Sequence, residues 1–360
     1  MQVNRTTNPF RSRHQYVDRR TGSVCTERLA ADRAVHVLYA SEREQPNILL
    51  SAVTSLRFSR LLGNLRYDLY LGNRRTCGPR MLRALGADLD ECLDDPASLD
   101  TPRKVFERRI RYWETRPLSD QRGVVVSPCD ARMLLGSFRL DSALFLKDKF
   151  FTLEELLGGS DRPWSARFRG GDYAIFRLTP DRYHYNHVPA AGQVIDIYAI
   201  DGACHSCNPY ALVRMAGLHA KNLRIVTVIE TDVEGGSQHG LVAMVEIAAL
   251  MIGDIVQCYS DERYETPRPV KTGMFLRQGA PKSLFRPGSS TVVLLFEPRR
   301  VLFDEDLLLN QNRSDVQSRF SAGLGCPRVE TDVVVRSQIG RGVPPCCLIR
   351  PACEIEPLFS

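Results

Sequence analysis

The sequence predicts an α+β fold in which a helical N-terminal part packs on a β-rich core of sandwich or barrel character. From residue 30 to about residue 112, apolar residues recur at steps of three and four, which indicates amphipathic helices. From Gly123 onward, short β-rich runs such as GVVVS, YAIFRL and STVVLLFEP are bounded by turn residues. Many closely spaced strands with few helical windows between them are typical of such a core.

These patterns divide the chain into three predicted regions. Residues 1–115 form the helical region, and residues 116–325 form the β-rich core. Residues 326–360 form a C-terminal tail whose clear element is the strand-like run VETDVVV, and no role is assigned to it. The apolar faces of the early helices fit either packing in the core or docking on a membrane surface.

Size and hydropathy indicate a folded chain that does not cross a membrane. With 360 residues and 43% hydrophobic content, the chain can bury a substantial core without disulfides or oligomerisation. No apolar run reaches the ~18 to 20 residues of a spanning helix, and the most apolar stretch, 241–253, contains Glu246. The N-terminus lacks the apolar run of a secretory signal, whereas an organelle-targeting peptide of about a dozen residues stays open.

The charge distribution is mildly basic. The net charge is +6, and arginines cluster in the first 20 residues and at Arg108, Arg109 and Arg111. This balance fits a solvated basic face or the binding of an anionic surface such as a lipid bilayer. The sequence has no zinc-finger spacing, aromatic RNA-binding motif or long basic helix, so we predict no nucleic-acid partner.

The cysteines indicate a reducing compartment. The eleven cysteines are odd in number and spread from Cys25 to Cys353, unlike a secreted disulfide framework, so we expect a cytoplasmic protein. Cys204 and Cys207 form a single C-x-x-C with no second pair at zinc-ribbon distance. They fit small semi-buried residues, or a metal site completed by His205 or remote ligands, and we predict no metal.

Two histidines lie three residues apart in the loop-like segment PDRYHYNHVP. His184 and His187 are enclosed by prolines at both ends of this segment. Such a pair can ligate zinc, act as general acid and base, or simply be hydrogen-bonded loop residues.

Two further segments place reactive groups next to predicted strands. The run VVVSPCDAR brings Asp130 to the end of a strand, where a carboxylate can orient a histidine or merely cap a turn. Gly288-Ser289-Ser290 directly precedes an apolar strand. Glycine leaves its own carbonyl open to attack by the following hydroxyl, although a Gly-Ser turn before a strand is also a common structural feature.

Taken together and in this order, these segments resemble the phosphatidylserine decarboxylase family. The family's S-P-x-D-G-R motif is matched by SPCDAR at 127–132, its Y-H-x-x-H-x-P motif by YHYNHVP at 183–189, and its G-S-[ST] cleavage site by GSS at 288–290. Connecting segments such as FTLEELLG, NPYAL and FDEDLL are also similar. The resemblance runs from about Tyr16 to Gly325.

The resemblance implies a chain that cuts itself. Asp130, His187 and Ser289 match the family's processing triad, in which the histidine takes the serine proton and the acid orients the imidazole. The Ser289 oxygen would attack the Gly288 carbonyl to form an ester. Elimination and loss of ammonia would then leave a covalent pyruvoyl group in place of Ser289, at the head of a small subunit that stays bound to residues 1–288.

The resemblance also implies a carboxy-lyase that uses this pyruvoyl group as its only cofactor. It would convert phosphatidylserine to phosphatidylethanolamine and carbon dioxide through a Schiff base, with His184 assigned to the decarboxylation step. The implied partners are an amine-bearing substrate, an anionic membrane surface and the chain's own two subunits, in a homo-oligomer. The enzyme would be cytoplasmic and peripherally membrane-associated.

Three departures from the family pattern keep other functions open. Ala131 replaces the motif glycine, Ala190-Ala191-Gly192 replaces the usual segment after the proline, and MFLRQGAPKSLFRP is longer and more basic than usual. These changes favour, as an alternative, a pyruvoyl-dependent decarboxylase of a soluble amino acid such as tryptophan or of a modified amine. A minor alternative is an unprocessed relative without catalytic activity.

Overall fold

The computed structural model describes residues 13–29, 31–40, 48–67, 78–121, 123–140, 142, 150–250, 254–288 and 290–343. The predicted nucleophile Ser289 lies outside the described residues, as do most of the C-terminal tail and the first 12 residues.

The helices are short, and half of them lie in the predicted N-terminal region. They span Asp32–Tyr39 (α1), Ile48–Thr54 (α2), Leu56–Tyr67 (α3), Pro79–Ala84 (α4), Pro102–Phe106 (α5), Tyr112–Thr115 (α6), Leu153–Leu157 (α7), Trp164–Phe168 (α8), Pro209–Arg214 (α9), Leu218–Lys221 (α10), Glu305–Gln311 (α11) and Arg319–Leu324 (α12). The helical character predicted for residues 30 to 112 is therefore confirmed.

The strands carry most of the fold. They span Gln15–Asp18 (β1), Val24–Thr26 (β2), Val124–Val126 (β3), Ala131–Ser137 (β4), Asp172–Leu178 (β5), Tyr185–His187 (β6), Gly192–Ile200 (β7), Arg224–Glu230 (β8), Leu241–Ala248 (β9), Ile255–Gln257 (β10), Phe275–Leu276 (β11), Pro281–Phe285 (β12), Ser290–Phe296 (β13), Val301–Phe303 (β14), Glu330–Val333 (β15) and Gln338–Gly342 (β16).

Ten of these strands form one mixed sheet in the order β11-β7-β8-β9-β13-β5-β4-β15-β1-β2. Its pairs are antiparallel except for β1 and β15, which run parallel. Two three-stranded sheets, β10-β12-β6 and β14-β16-β3, complete the β structure of the described residues. The α+β class is confirmed. The large sheet is not a closed barrel, because β11 and β2 are its two edges among the described residues.

The middle strands of the large sheet are buried on both faces. Ile175, Val245 and Val293 are register neighbours on β5, β9 and β13, and they pack on one face against α7 and α9. The alternate residues, such as Phe176 and Val292, belong to a second core cluster on the opposite face. Burial on both faces explains why these strands read as nearly continuous apolar runs.

The first and last strands of the large sheet's chain order, β1 and β15, are neighbours in it. The N-terminal hairpin of β1 and β2 precedes the first helix, and β15 from the tail lies between β1 and β4. The helical part packs on the core through Tyr39, whose hydroxyl accepts a hydrogen bond of 3.0 Å from the Ser206 amide. No helix in the described part of the chain is both long enough and apolar enough to cross a bilayer.

Candidate active site

The predicted cleavage position directly precedes β13, which lies between β9 and β5 in the middle of the large sheet. Ser290, the first residue of β13, is paired with Leu178 of β5 on one side and with Ala248 of β9 on the other. Gly288 has a φ of 147°, a conformation that residues with a side chain rarely adopt. The sequence therefore needs glycine on the carbonyl side of the bond that we expect to be cut.

The histidine strand pairs with the strand that leads into this glycine. β6 is antiparallel to β12, and Pro281 lies opposite His187. The Phe285 amide donates a 3.1 Å hydrogen bond to the His184 carbonyl. Because the chain then continues from β12 to Gly288, His184 lies beside the end of β12 that leads to the predicted cleavage site, whereas His187 lies opposite its first residue. Along β12, His184 is nearer to Gly288 than His187 is.

His187 is fully buried and hydrogen-bonded at both ring nitrogens. Nδ1 lies 2.8 Å from the Gly279 carbonyl oxygen, and Nε2 lies 2.8 Å from the Tyr183 hydroxyl. Burial lowers the pKa of His187 to about 3, so the ring is neutral near pH 7. A carbonyl can only accept, so Nδ1 carries the single proton and Nε2 accepts from the Tyr183 hydroxyl.

A second tyrosine continues this chain of hydrogen bonds. The Tyr264 hydroxyl lies 2.7 Å from the Tyr183 hydroxyl, 2.9 Å from the Ile110 carbonyl oxygen and 3.2 Å from the Ile110 amide. With His187 neutral, Tyr264 donates to Tyr183. If Nε2 gains a proton, Nε2 donates to Tyr183, Tyr183 to Tyr264, and Tyr264 to the Ile110 carbonyl. Both protonation states of His187 are thus fully hydrogen-bonded after rotation of two hydroxyls.

His184 has one ring nitrogen engaged and one unengaged. Nδ1 lies 2.7 Å from the Arg182 carbonyl oxygen and therefore carries the proton, while Nε2 is buried without a hydrogen-bond partner among the described residues. The ring stacks on Phe106 with centroids 3.5 Å apart. Burial, and secondly the positive charge of Arg108, lowers the pKa of His184 to about 3. Nε2 is therefore an unprotonated basic atom that lacks a described partner.

Asp130 is buried, and its carboxylate is bonded to residues other than His187. Its Oδ1 accepts a 2.7 Å hydrogen bond from the Val335 amide, and its Oδ2 lies 3.5 Å from Nη2 of Arg116. The described hydrogen bonds include none between Asp130 and the His187 ring. The connection that the structure does contain is through the backbone, since the His187 amide donates to the Pro128 carbonyl at 2.7 Å.

Sequence reasoning did not assign a role to Tyr183, Tyr264 or Arg116. Tyr183 belongs to the matched segment YHYNHVP and could have been considered on that ground. Tyr264 and Arg116 lie outside the matched motif segments and carry no comparable signal; Tyr264 is 81 residues from Tyr183, and Arg116 is 14 residues before Asp130.

A cavity of about 490 Å³ lies at the end of β5, the strand beside β13, and none of Asp130, His184, His187 and Gly288 lines it. One wall is the segment 178–181, which begins at Leu178, the register partner of Ser290. The remaining walls come from the β1–β2 hairpin, α4 and the loop before α9. The lining residues are Tyr16, Thr26, Glu27, Arg28, Leu29, Arg83, Ala84, Leu85, Gly86, Arg132, Arg177, Leu178, Thr179, Pro180, Asp181, Ser206, Cys207 and Asn208.

One described cluster has the spacing of a metal site but forms an ion-pair network. His14, Glu27 and Glu330 offer ligand atoms within 4.8 Å of one another. The Arg177 guanidinium lies 2.6 Å from each of the two carboxylates. His14 Nδ1 accepts from the Arg319 amide, so its Nε2 carries a proton and donates to Glu330 at 2.7 Å. Arg177 and this protonated nitrogen occupy the positions that a cation would need.

Cys204 and Cys207 are both buried beside the helical part of the chain. The Cys204 amide donates a 2.7 Å hydrogen bond to the Thr54 carbonyl, and the Cys204 thiol is hydrogen-bonded to Ser59. This environment fits the small buried residues that the sequence allowed.

Comparison with known proteins gives a consistent result. The family model described as phosphatidylserine decarboxylase matches residues 103–322. The phosphatidylserine decarboxylase proenzyme of Chlamydia muridarum is 30% identical over 312 residues, covering 86% of this chain and 96% of the relative. The proenzyme of Fusobacterium nucleatum is 26% identical over 317 residues, covering 86% and 95%, and that of Bordetella petrii is 31% identical over 235 residues, covering 62% and 78%.

Proposed function

This chain belongs to the phosphatidylserine decarboxylase family of carboxy-lyases, and we propose that it cuts itself at Gly288-Ser289 and decarboxylates phosphatidylserine to phosphatidylethanolamine. One observation carries the proposal. His184 directly precedes β6, which contains His187 and pairs with the strand that runs towards Gly288, and Leu178, the register partner of Ser290, lines a cavity. These pairings support a proposal in which the histidine segment, the cleavage site and the cavity act together, with His184 nearer to Gly288 than His187.

In self-cleavage, His187 is the proposed base. Nε2 is the one ring atom able to take a proton, because Nδ1 donates to the Gly279 carbonyl. Deprotonation lets the Ser289 oxygen attack the Gly288 carbonyl, and the resulting imidazolium is stabilised when Tyr183 and Tyr264 rotate their hydroxyls. The imidazolium forms in a buried site, so a hydrogen-bond partner at each nitrogen offsets part of its desolvation cost.

Asp130 is proposed to position the base rather than to touch it. Its bonds to Val335 and Arg116 fix the turn at 127–130, and the Pro128 carbonyl of this turn accepts the His187 amide.

After cleavage, β13 would hold the small subunit in place. Its seven residues each pair with β5 and with β9. Cleavage would break one peptide bond and leave these strand pairings in place, so residues 289–360 would stay bound.

The pyruvoyl group formed from Ser289 would supply an electron sink that no natural side chain offers, through a Schiff base with the substrate amine. His184 is proposed to take a proton at Nε2 from the substrate ammonium as the Schiff base forms and to give it to Cα after carbon dioxide leaves, since Nδ1 is held by the Arg182 carbonyl.

A lipid substrate requires contact with a membrane, and α3 offers a surface for it. Phe58, Leu61 and Leu65 are exposed on α3 at helical spacing, with Leu61 at 52% and Leu65 at 49% exposure. An exposed apolar stripe next to arginines is suited to docking on an anionic bilayer from one side. We therefore propose peripheral association, with a cytoplasmic location.

Two measurements test the function. On denaturing electrophoresis, the 40.6 kDa chain should separate into fragments whose masses correspond to residues 1–288 and 289–360 with pyruvoyl at the new terminus. Purified protein should then release carbon dioxide from phosphatidylserine vesicles. A single uncleaved band would rule out both decarboxylase functions, that on phosphatidylserine and that on a soluble amino acid. Release of carbon dioxide from free tryptophan but not from phosphatidylserine would favour the soluble substrate.

A further inference from the structure

We propose that Arg28 and Arg83 bind the phosphodiester of the substrate headgroup in the cavity beside Ser290. This inference rests on the proposed function and names the part of the substrate that the cavity recognises. It assigns a binding role to two residues that lie outside the three motif segments.

The cavity has the size and position of a substrate site. A volume of about 490 Å³ falls within the range of roughly 300–1,000 Å³ that is usual for small-molecule pockets. Because its wall 178–181 starts opposite Ser290, a ligand in the cavity can present one end to the cleavage site. The remaining walls, which include Arg28 and Arg83, would contact the rest of that ligand.

Two of the four arginines that line the cavity are neutralised. Arg177 lies 2.6 Å from both Glu27 and Glu330. Arg132 forms an ion pair with Asp332 and packs its guanidinium over the Tyr16 ring at 3.4 Å. These guanidinium groups are already engaged by the protein.

The other two arginines are exposed and have no described partner. Among the described residues, neither Arg28 nor Arg83 forms an ion pair or a side-chain hydrogen bond. The cavity carboxylates do not offset them, since Glu27 is paired with Arg177, and Asp181 lies 3.2 Å from Nε of Arg182. The unbalanced charge of the cavity lining is therefore positive.

The two side chains come from different elements at the same cavity. Arg28 follows β2, and Arg83 lies in the last turn of α4. Guanidinium groups bind phosphate oxygens in a forked geometry, and two of them can hold the two non-bridging oxygens of a phosphodiester. A soluble amino acid without phosphate would leave both arginines unused, so this site favours a phospholipid headgroup.

The test compares two double variants that lose the same charge. Arg28→Gln/Arg83→Gln removes the proposed subsite. Arg299→Gln/Arg341→Gln removes two exposed arginines that do not line the cavity and have no described ion pair. Both variants should cleave themselves as the unaltered chain does, with equal fragment yield and equal hydrazine-reactive carbonyl.

The substrate for this test is short-chain phosphatidylserine below its micelle concentration, which removes any effect of bilayer charge. Since each lost charge-assisted hydrogen bond weakens binding, KM of the cavity variant should rise about 10- to 100-fold, with kcat changed less than about threefold. The control variant should keep both constants. Arg28→Lys/Arg83→Lys, which retains charge but not the fork, should give an intermediate KM.

The outcomes separate the two proposals. If the unaltered chain releases no carbon dioxide from phosphatidylserine, the proposed function fails. If it does, and the cavity variant matches the control, the subsite is wrong. A defect with vesicles but not with monomeric substrate would assign these arginines to membrane attraction and overturn the inference. Inorganic phosphate that competes as strongly as glycerophosphoethanolamine would likewise overturn recognition of a phosphodiester.

Discussion

The hydroxyl oxygen of Tyr183 lies 2.8 Å from Nε2 of His187, the ring atom that must accept a proton if this histidine serves as the base. The Gly279 carbonyl fixes the other nitrogen as a donor, so Tyr183 donates to Nε2 in the resting state. The same hydroxyl can accept from Nε2 once the ring is charged. Tyr183 is therefore placed to orient the base and to stabilise its protonated form.

Replacing Tyr183 by Phe should slow self-cleavage about 10- to 100-fold, because the imidazolium would lose its hydrogen bond in a buried site. The rate is measured as the appearance of the two fragments in freshly purified or refolded protein. Tyr185→Phe is the matched control, since Tyr185 stacks on Tyr183 but its hydroxyl makes no described hydrogen bond. Cleavage of Tyr183→Phe at the unaltered rate would remove Tyr183 from the mechanism.

Replacing Ser289 by Ala should leave the chain intact, because neither a nucleophile nor a β-hydroxyl for elimination remains. His187→Ala should block cleavage for lack of the base. Intact-mass spectrometry checks both variants. A fragment ending at Gly288 in Ser289→Ala would contradict the chemistry, whereas such a fragment in His187→Ala alone would show that another group takes the proton.

Stability should fall with pH below the ordinary histidine range. Burial lowers the folded-state pKa of His184 and of His187 to about 3 and that of His219 to about 4, whereas the unfolded chain has ordinary values near ~6.5. Below pH ~6.5 the unfolded state therefore binds more protons, and each such histidine costs about 1.4 kcal/mol per pH unit until its folded pKa is reached. The stability is fully present above pH ~6.5.

Urea unfolding of the uncleaved Ser289→Ala chain between pH 7 and pH 5 measures this loss. His219→Phe supplies a comparison away from the active site, because its buried ring lies near Phe150 and Phe151 and its Nε2 has no partner in the described part of the chain. That variant should reduce the slope by about 1.4 kcal/mol per pH unit, the contribution of one proton. An unchanged slope would mean that His219 is charged in the folded protein.

The central strands could be predicted from sequence because they are buried on both faces. The β-rich runs GVVVS, YAIFRL and STVVLLFEP overlap β3, β5 and β13, and the run VETDVVV contains β15. The hairpin of β1 and β2 was missed, since strands of four and three residues carry too short a pattern to recognise. The place of β15 beside β1 was also hidden, because Tyr16 and Glu330 are distant in sequence and their pairing depends on tertiary structure.

The motif residues of the site could be predicted from the sequence, but the residues that surround them could not. Asp130, His184 and His187 lie in short segments that can be recognised by their residue types and spacing. Tyr264 contacts Tyr183 from a loop far along the chain, and Arg83 reaches the cavity from a short helix. Such contacts depend on how separate segments pack, which no local pattern encodes.

The final prediction separates the two histidines of the YHYNHVP segment. His184→Ala should still cut itself and form a carbonyl that reacts with hydrazines, because the hydrogen bonds of His187 do not involve His184. Decarboxylation should be slower by roughly 10²- to 10⁴-fold, the usual contribution of one positioned acid or base. Fragment yield, carbonyl content and carbon dioxide release are measured on the same preparation.

Phe106→Leu is the comparison variant. It removes the ring that stacks on His184 at 3.5 Å but keeps Nε2 of His184, so it should reduce turnover less than His184→Ala does. An uncut His184→Ala chain would move His184 into the self-cleavage step. Normal turnover would show that its Nε2, although buried and without a described partner, takes no part in the chemistry.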